Sequence, residues 1–312
     1  MRYLMVVLAA AVLAIAVVVG LVVLARTFAD LTPIVAVPVP TRVEILETHE
    51  ETAPQTAETW EEWHSQSPNW TFTQADITAI DDTGYLILLN RENSLSVEID
   101  ISEMQQAWPT VPVSFIDDIF LHPTAIAAIR QMLDAAQADG LSGLHITSGF
   151  RTYAQQAALY ENTVNRAFVL PPAHSEHHTG LAADIMAVGV PQSELAQSPH
   201  GRWMAENSWR FGLILRYPQG SQAITGVAFE PWHFRYVGRV HAQYMRQNGL
   251  LLEEYLARLQ NLGNFDNLEI SLDGTTFYIF YEIPRNGVIN LPEGLQMAIS
   301  SDNMGGFIVK AW

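Results

Sequence analysis

The stretch that most constrains this chain is His174-Ser175-Glu176-His177-His178-Thr179-Gly180-Leu181-Ala182-Ala183-Asp184. It sets three histidines and two carboxylates within eleven residues, in a chain with ten histidines in all. Its end runs into Ala182 to Ala187, an apolar segment of strand length that anchors the backbone and so gives Asp184 a defined position. The Thr179-Gly180 pair permits a tight bend, and a short hairpin there would set His177 facing Asp184. Further along, Glu230-Pro231-Trp232-His233 leads into an alternating strand, Phe234 to Val237. Two imidazoles and one carboxylate make a three-ligand zinc set with the fourth position left open for water. Glu230 then remains as a second carboxylate, free to act as a base.

Ser175-x-His177 followed seven residues later by Asp184, then Glu230-x-x-His233, resembles the VanY-type D-alanyl-D-alanine carboxypeptidases. These are zinc peptidases of bacterial cell-wall stem peptides, and they share a core with the hedgehog-type domains. The resemblance extends, in the family's order, to Ser148-Gly149-Phe150-Arg151-Thr152-Tyr153 with Gln156, to Phe211 through Pro218, and to Thr225-Gly226. It implies zinc (Zn2+) held by His177, Asp184 and His233, with Glu230 as the general base that takes a proton from the activated water and passes it to the leaving amine. It implies that Arg151 holds the scissile carbonyl and stabilises the oxyanion, a task suited to a fixed guanidinium fork. Ser175 and Gln156 match positions that orient the substrate, and Tyr153, Trp232 and Tyr217 are candidates to line its pocket. His174 and His178 lack the spacing to Asp184; His178 stands where the family often has Gln, and Ala173 where it often has Gly. A regular strand would point Glu230 and His233 to opposite faces, but Pro231 breaks it and lets the carboxylate approach from the side.

The implied activity is removal of the terminal D-alanine from peptidoglycan stem pentapeptides, the partner being a peptide ending in D-Ala-D-Ala. Alternatives on the same fold are an L,D-carboxypeptidase acting on tetrapeptides, a peptidoglycan endopeptidase, or a catalytically silent domain that binds wall peptides. Glu230 together with Arg151 weighs against the silent domain. A net charge of −17 argues against nucleic acid or anionic lipid as the main partner, and the lack of cysteine excludes disulfides and thiolate metal sites.

Tyr3 to Ala25 is an unbroken apolar or small run of 23 residues. As a helix it would measure roughly 34 Å, enough for a bilayer core of about 30 Å. It exceeds the apolar region of a cleavable signal peptide, and Val23-Leu24-Ala25 is a poor cleavage site. The expectation is a single-pass anchor in a bacterial cell membrane over residues 1–26, with the catalytic domain outside the cytoplasm; cleavage would instead give a secreted form. Arg2 favours this orientation and Arg26 weakens it. Residues 27–68 read as a linker, first proline-containing and then acidic.

The fold expected for 69–263 is α+β: an antiparallel sheet carrying the zinc site, with helices packed on it. Tyr85 to Asn90 reads as a buried strand, Pro123 to Asp139 as an amphipathic helix with an Ile126, Ile129, Met132, Leu133, Ala136 stripe, and Leu144 to Thr147 as a strand. Helices follow over Thr152 to Asn165 and Gly201 to Phe211, then strands over Leu213 to Tyr217 and Phe234 to Val237. Two further helices, Arg239 to Asn248 and Leu251 to Leu262, close this region. Residues 264–312 read as a small β extension: Leu268 to Leu272, a type I′ turn at Asp273-Gly274, then Thr275 to Ile283, with short strands near Val288–Leu291 and Phe307–Ala311.

Overall fold

Leu144–Ser148, Ala182–Ala187, His233–Tyr236 and Leu213–Leu215 lie side by side, in that order, as a four-stranded antiparallel sheet. The computed structural model describes residues 70–114, 118–263 and 265–312. The apolar run from Tyr3 to Ala25 and the linker expected over 27–68 lie outside these residues. Among the described residues, no helix is long and apolar enough to cross a membrane.

Strand alternation explains the two faces of the sheet. Ala183, Ile185 and Ala187 turn one way, with Phe234, into a cluster that includes Leu144, Ile146, Ile129 and Met132. Asp184 and His233 belong to the opposite set of positions. The apolar face is covered by the helix Pro123–Ala138, whose Ile126, Ile129, Met132, Leu133 and Ala136 are all buried. Each isoleucine, leucine or methionine side chain so removed from water contributes about 1.5–3 kcal/mol. Pro123 opens that helix, His122 Nδ1 accepts from the Thr124 amide, and Gly140 follows its end with φ +86°. The helix Tyr153–Asn162 starts from a reciprocal capping box of Thr152 and Gln155. It ends short of Asn165, because Thr163 is already extended and Val164 is fully exposed, with nothing to bury.

Two further expectations change. Tyr85 to Asn90 buries Leu86, Leu88 and Leu89 but forms no strand. Its backbone groups are satisfied instead by Ser300 Oγ, by the Asp302 carbonyl, and by the Arg235 guanidinium, which donates to the Tyr85 and Ile87 carbonyls. Thr179-Gly180 is not the tip of a hairpin: Glu176–Thr179 is a single 3₁₀ turn, closed by Gly180 in the left-handed region at φ +67°.

The C-terminal strands make a second four-stranded antiparallel sheet, ordered Met297–Ser301, Phe307–Ala311, Thr275–Glu282, Asn267–Leu272. Asp273 and Gly274 both have positive φ, +51° and +79°, as a type I′ turn requires. Ile270, Ile279, Tyr281 and Ile308 pack on the helices Arg239–Asn248 and Leu252–Gln260. On the other side, Phe280, Val309 and Ile299 join Trp70 and Phe72. A strand absent from the sequence reading, Phe72–Asp76, pairs antiparallel with Val288–Pro292, so this β unit draws on residues far ahead of it in the chain.

Candidate metal centre

Asp184 and His233 are directly opposed on neighbouring antiparallel strands, and opposed side chains share a face. His233 Nδ1 accordingly lies 3.1 Å from Asp184 Oδ1. His177 arrives from the 3₁₀ turn before the strand, with Nε2 3.6 Å from the same oxygen. The turn needs glycine at Gly180: a Cβ there would collide with Met104 Sδ and stand 2.9 Å from the His122 amide nitrogen. His177 Nδ1 donates to the Gly149 carbonyl at 2.6 Å, which leaves the Nε2 lone pair facing Asp184. The three ligand atoms fall within 4.8 Å of one another. Tetrahedral bonds of about 2.0–2.1 Å imply ligand-to-ligand edges of roughly 3.3 Å, and two nitrogens with one carboxylate oxygen suit zinc. The residues therefore fit such an ion.

Glu230 comes from the turn ahead of the strand, where the His233 amide donates to the Glu230 carbonyl. Its Oε2 reaches 3.6 Å from His233 Nδ1, so the break at Pro231 brings both side chains to one place. Burial pushes the Glu230 carboxyl up to about 8, with His233 pulling against it and Asp184 adding to it. Burial, and then Arg151, hold His177 down at about 4, so it is neutral, as a ligand must be. For His233 burial opposes the charge, but Asp184 and Glu176 prevail and raise it to about 9 among the protein groups alone.

Arg151 lies on the other side, with Nη2 4.0 Å from Asp184 Oδ2 and Nη1 donating to Gln156 Oε1 at 2.6 Å. Gln156 in turn donates from Nε2 to the Leu170 carbonyl at 2.6 Å. Both ends of its amide are thus engaged, so its contact is with Arg151 even though it stands in the cavity wall. The cavity itself measures about 190 Å³, and Ser175, Tyr217 and Trp232 line it along with Arg151, Glu230 and the three metal-group residues. Ser175 precedes the 3₁₀ turn but makes no side-chain capping bond, which leaves its hydroxyl uncommitted to that turn. Tyr153 stands apart: its hydroxyl donates to the Leu95 carbonyl and its ring meets His178 edge-on. His178 is held between the Arg151 carbonyl and the Ala173 amide, and His174 faces the Asn90 carbonyl.

Sequence reasoning passed over Glu176. It is buried, and its Oε1 accepts from Arg216 Nε at 2.8 Å and Arg235 Nη1 at 2.9 Å. Arg216 also makes a two-pronged pair with Glu253. Burial pushes the Glu176 carboxyl up, but Arg216 and Arg235 overcome it and hold the group well below the usual carboxylate range. One signal was available in the sequence. Arg235 sits between Phe234 and Tyr236 in a core strand, and an arginine there requires a carboxylate partner.

Residues 118–239 match the family model of VanY, D-alanyl-D-alanine carboxypeptidase. The chain is 34% identical over 193 residues to a D-alanyl-D-alanine carboxypeptidase of Enterococcus faecium, over 62% of this chain and 61% of that one. It therefore spans less than two thirds of that relative's length. It is 35% identical over 152 residues to the bifunctional D-Ala-D-Ala dipeptidase and D-Ala-D-Ala carboxypeptidase VanXYC of Enterococcus gallinarum, over 44% of this chain and 78% of the relative. Among solved structures, the vancomycin resistance D,D-dipeptidase VanXYg in complex with a D-Ala-D-Ala phosphinate analogue shares the fold. The TM-score is 0.65 at 24% identity, covering 78% of this chain and all of that one. The LdcB LD-carboxypeptidase aligns with a TM-score of 0.51 at 33% identity, over 55% of this chain and 84% of that one.

Proposed function

The chain belongs to the VanY family of D-alanyl-D-alanine carboxypeptidases, and from that membership we propose a zinc-dependent carboxypeptidase that removes the terminal D-alanine from peptidoglycan stem pentapeptides. The observation that carries the reading is the convergence of His177, Asp184, His233, Glu230 and Arg151 on one cavity of about 190 Å³. That volume is below the range of pockets that enclose a whole drug-sized ligand, and it suits the end of a peptide with small side chains.

Zinc in this site supplies Lewis acidity, which acidifies water and polarises the scissile carbonyl. His177 offers Nε2, Asp184 Oδ1 and His233 Nδ1, the atoms that face one another. Glu230 takes the proton of the attacking water and delivers it to the departing D-alanine nitrogen. Arg151, braced by Gln156, presents its charge to the oxygen that becomes negative. Ser175 and Trp232 position the substrate's end. Similarity to the LdcB LD-carboxypeptidase supports a second reading, cleavage of tetrapeptides by the same machinery. The apolar run from Tyr3 to Ala25 supports a membrane-anchored enzyme whose site lies outside the cytoplasm.

The test is D-alanine release by the zinc-loaded full chain from pentapeptide and tetrapeptide, side by side, with Glu230→Ala as control. Release from the pentapeptide that drops about 10²–10⁴-fold in Glu230→Ala, with zinc retained, is the expected result. Release mainly from the tetrapeptide moves the protein to the L,D class. No release from either, with zinc bound, leaves an endopeptidase or a wall-peptide binder and overturns the reading.

A further inference from the structure

His233 and Arg235 are two residues apart on one strand, so both point to the face that carries Asp184, and both approach Glu176. The two oxygens of that carboxylate are used unequally. Oε1 accepts from both arginines, whereas Oε2 is buried without a hydrogen-bond partner. The one other orphan beside it is His233 Nε2, also buried and unpartnered, 3.5 Å away. Leaving a buried donor and a buried acceptor unmatched is destabilising, so a facing pair calls for a reason.

The donor set provides one. Nδ1 is the His233 atom turned towards Asp184 and Glu230, and an imidazole nitrogen that binds a metal carries no proton. The neutral ring's single proton must then be on Nε2, directed at Glu176 Oε2. The surrounding charges suit that role. Glu176 and Glu253 against Arg216 and Arg235 sum to zero, so the carboxylate stays ionised without a stray charge in the core. We propose that Glu176 is a positioning residue for the metal centre. Its Oε2 accepts the Nε2 proton of His233, fixes the tautomer and the ring plane, and so presents the Nδ1 lone pair to the ion, while Arg216 and Arg235 hold the carboxylate in place. The inference rests on His233 being a ligand. A purely structural ion cluster would affect folding and leave metal affinity alone.

Glu176→Gln keeps the shape but turns a donor towards Nε2, which favours the wrong tautomer. Zinc affinity of the full chain, measured by competition with a chromophoric chelator, is expected to fall about 10–100-fold. Because that change leaves one buried positive charge in excess, the charge-balanced pair Glu176→Gln with Arg235→Gln is measured beside it, and the same loss is expected. Zinc affinity within twofold of the parent in either folded variant would overturn the proposal. A readout on the unaltered protein stands independently of how the variants fold. Nitrogen-15 spectra of the histidine-labelled, zinc-loaded chain should show His233 protonated at Nε2 and metallated at Nδ1, and metallation at Nε2 overturns the idea outright. His233→Ala separates the two levels. If it keeps full zinc, the ligand reading itself fails; if it loses zinc while Glu176→Gln does not, only the positioning role falls.

Discussion

The two four-stranded antiparallel sheets of this protein are built under opposite demands. The C-terminal sheet is apolar on both sides, with Ile279 and Tyr281 turned to one cluster and Phe280 to the other. Its two buried carboxylates are each satisfied by neutral donors: Asp302, in a loop, by the Tyr281 hydroxyl, the Gln260 amide and the Met304 and Gly306 amides, and Glu282, at a strand end, by the Asn290 backbone and side-chain amides. The sheet of the metal centre is apolar on one side only. Its other face carries Asp184, His233 and Arg235, each tied to partners from other segments. Apolar packing is nondirectional and roughly proportional to area, so losses in the first sheet should be local. Buried charges tolerate no missing partner, so the second sheet behaves as one coupled unit.

The largest effect expected from this contrast is at His233. Its change to alanine should weaken zinc binding by more than the 10–100-fold typical of an outer partner and abolish turnover, while the C-terminal sheet still melts with the rest of the fold. Full zinc occupancy by elemental analysis would remove His233 from the site. Ile279→Ala is the converse. It should lower unfolding stability by about 2–5 kcal/mol and leave zinc affinity unchanged. A parallel drop in zinc affinity, measured with the same chelator, would mean that the two sheets are coupled after all.

The smallest effect is a pH dependence confined to the metal centre. In chelated protein, Glu230 is raised from 4.5 to about 8 and His233 from 6.5 to about 9. Groups raised in the fold bind protons more tightly there than in the unfolded chain, so their stabilisation is lost as pH rises through those values. Melting temperature in chelator should therefore fall between about pH 6.5 and 9. His177 and His241, held low by burial, act only on the acid side of that window. Zinc loading should flatten the decline, since the ion displaces the proton from His233. A chelated protein whose melting point rises across that range would contradict the assigned directions.

Much of this was readable along the chain where the cause is local. The helix from Pro123 shows in its apolar stripe, the I′ turn in Asp273-Gly274, and the strand Ala182–Ala187 in its composition. Tyr85 to Asn90 misled because a run of leucines reports burial and not the source of backbone hydrogen bonds; here those come from Arg235, Ser300 and Asp302. Gln156 was legible as a residue of the site but not in its contact, which depends on where Arg151 and the Leu170 carbonyl lie.

The sequence by itself determined which residue types could form the metal centre and the periods of the elements that carry them, since both depend on neighbours a few positions apart. Only the tertiary structure decided the strand register that opposes Asp184 to His233, the pairing of Phe72–Asp76 with Val288–Pro292, and the burial of Glu176 between two arginines. These are contacts between segments far apart in the chain. Their energy comes from desolvated charges and shared backbone hydrogen bonds, which no local pattern records.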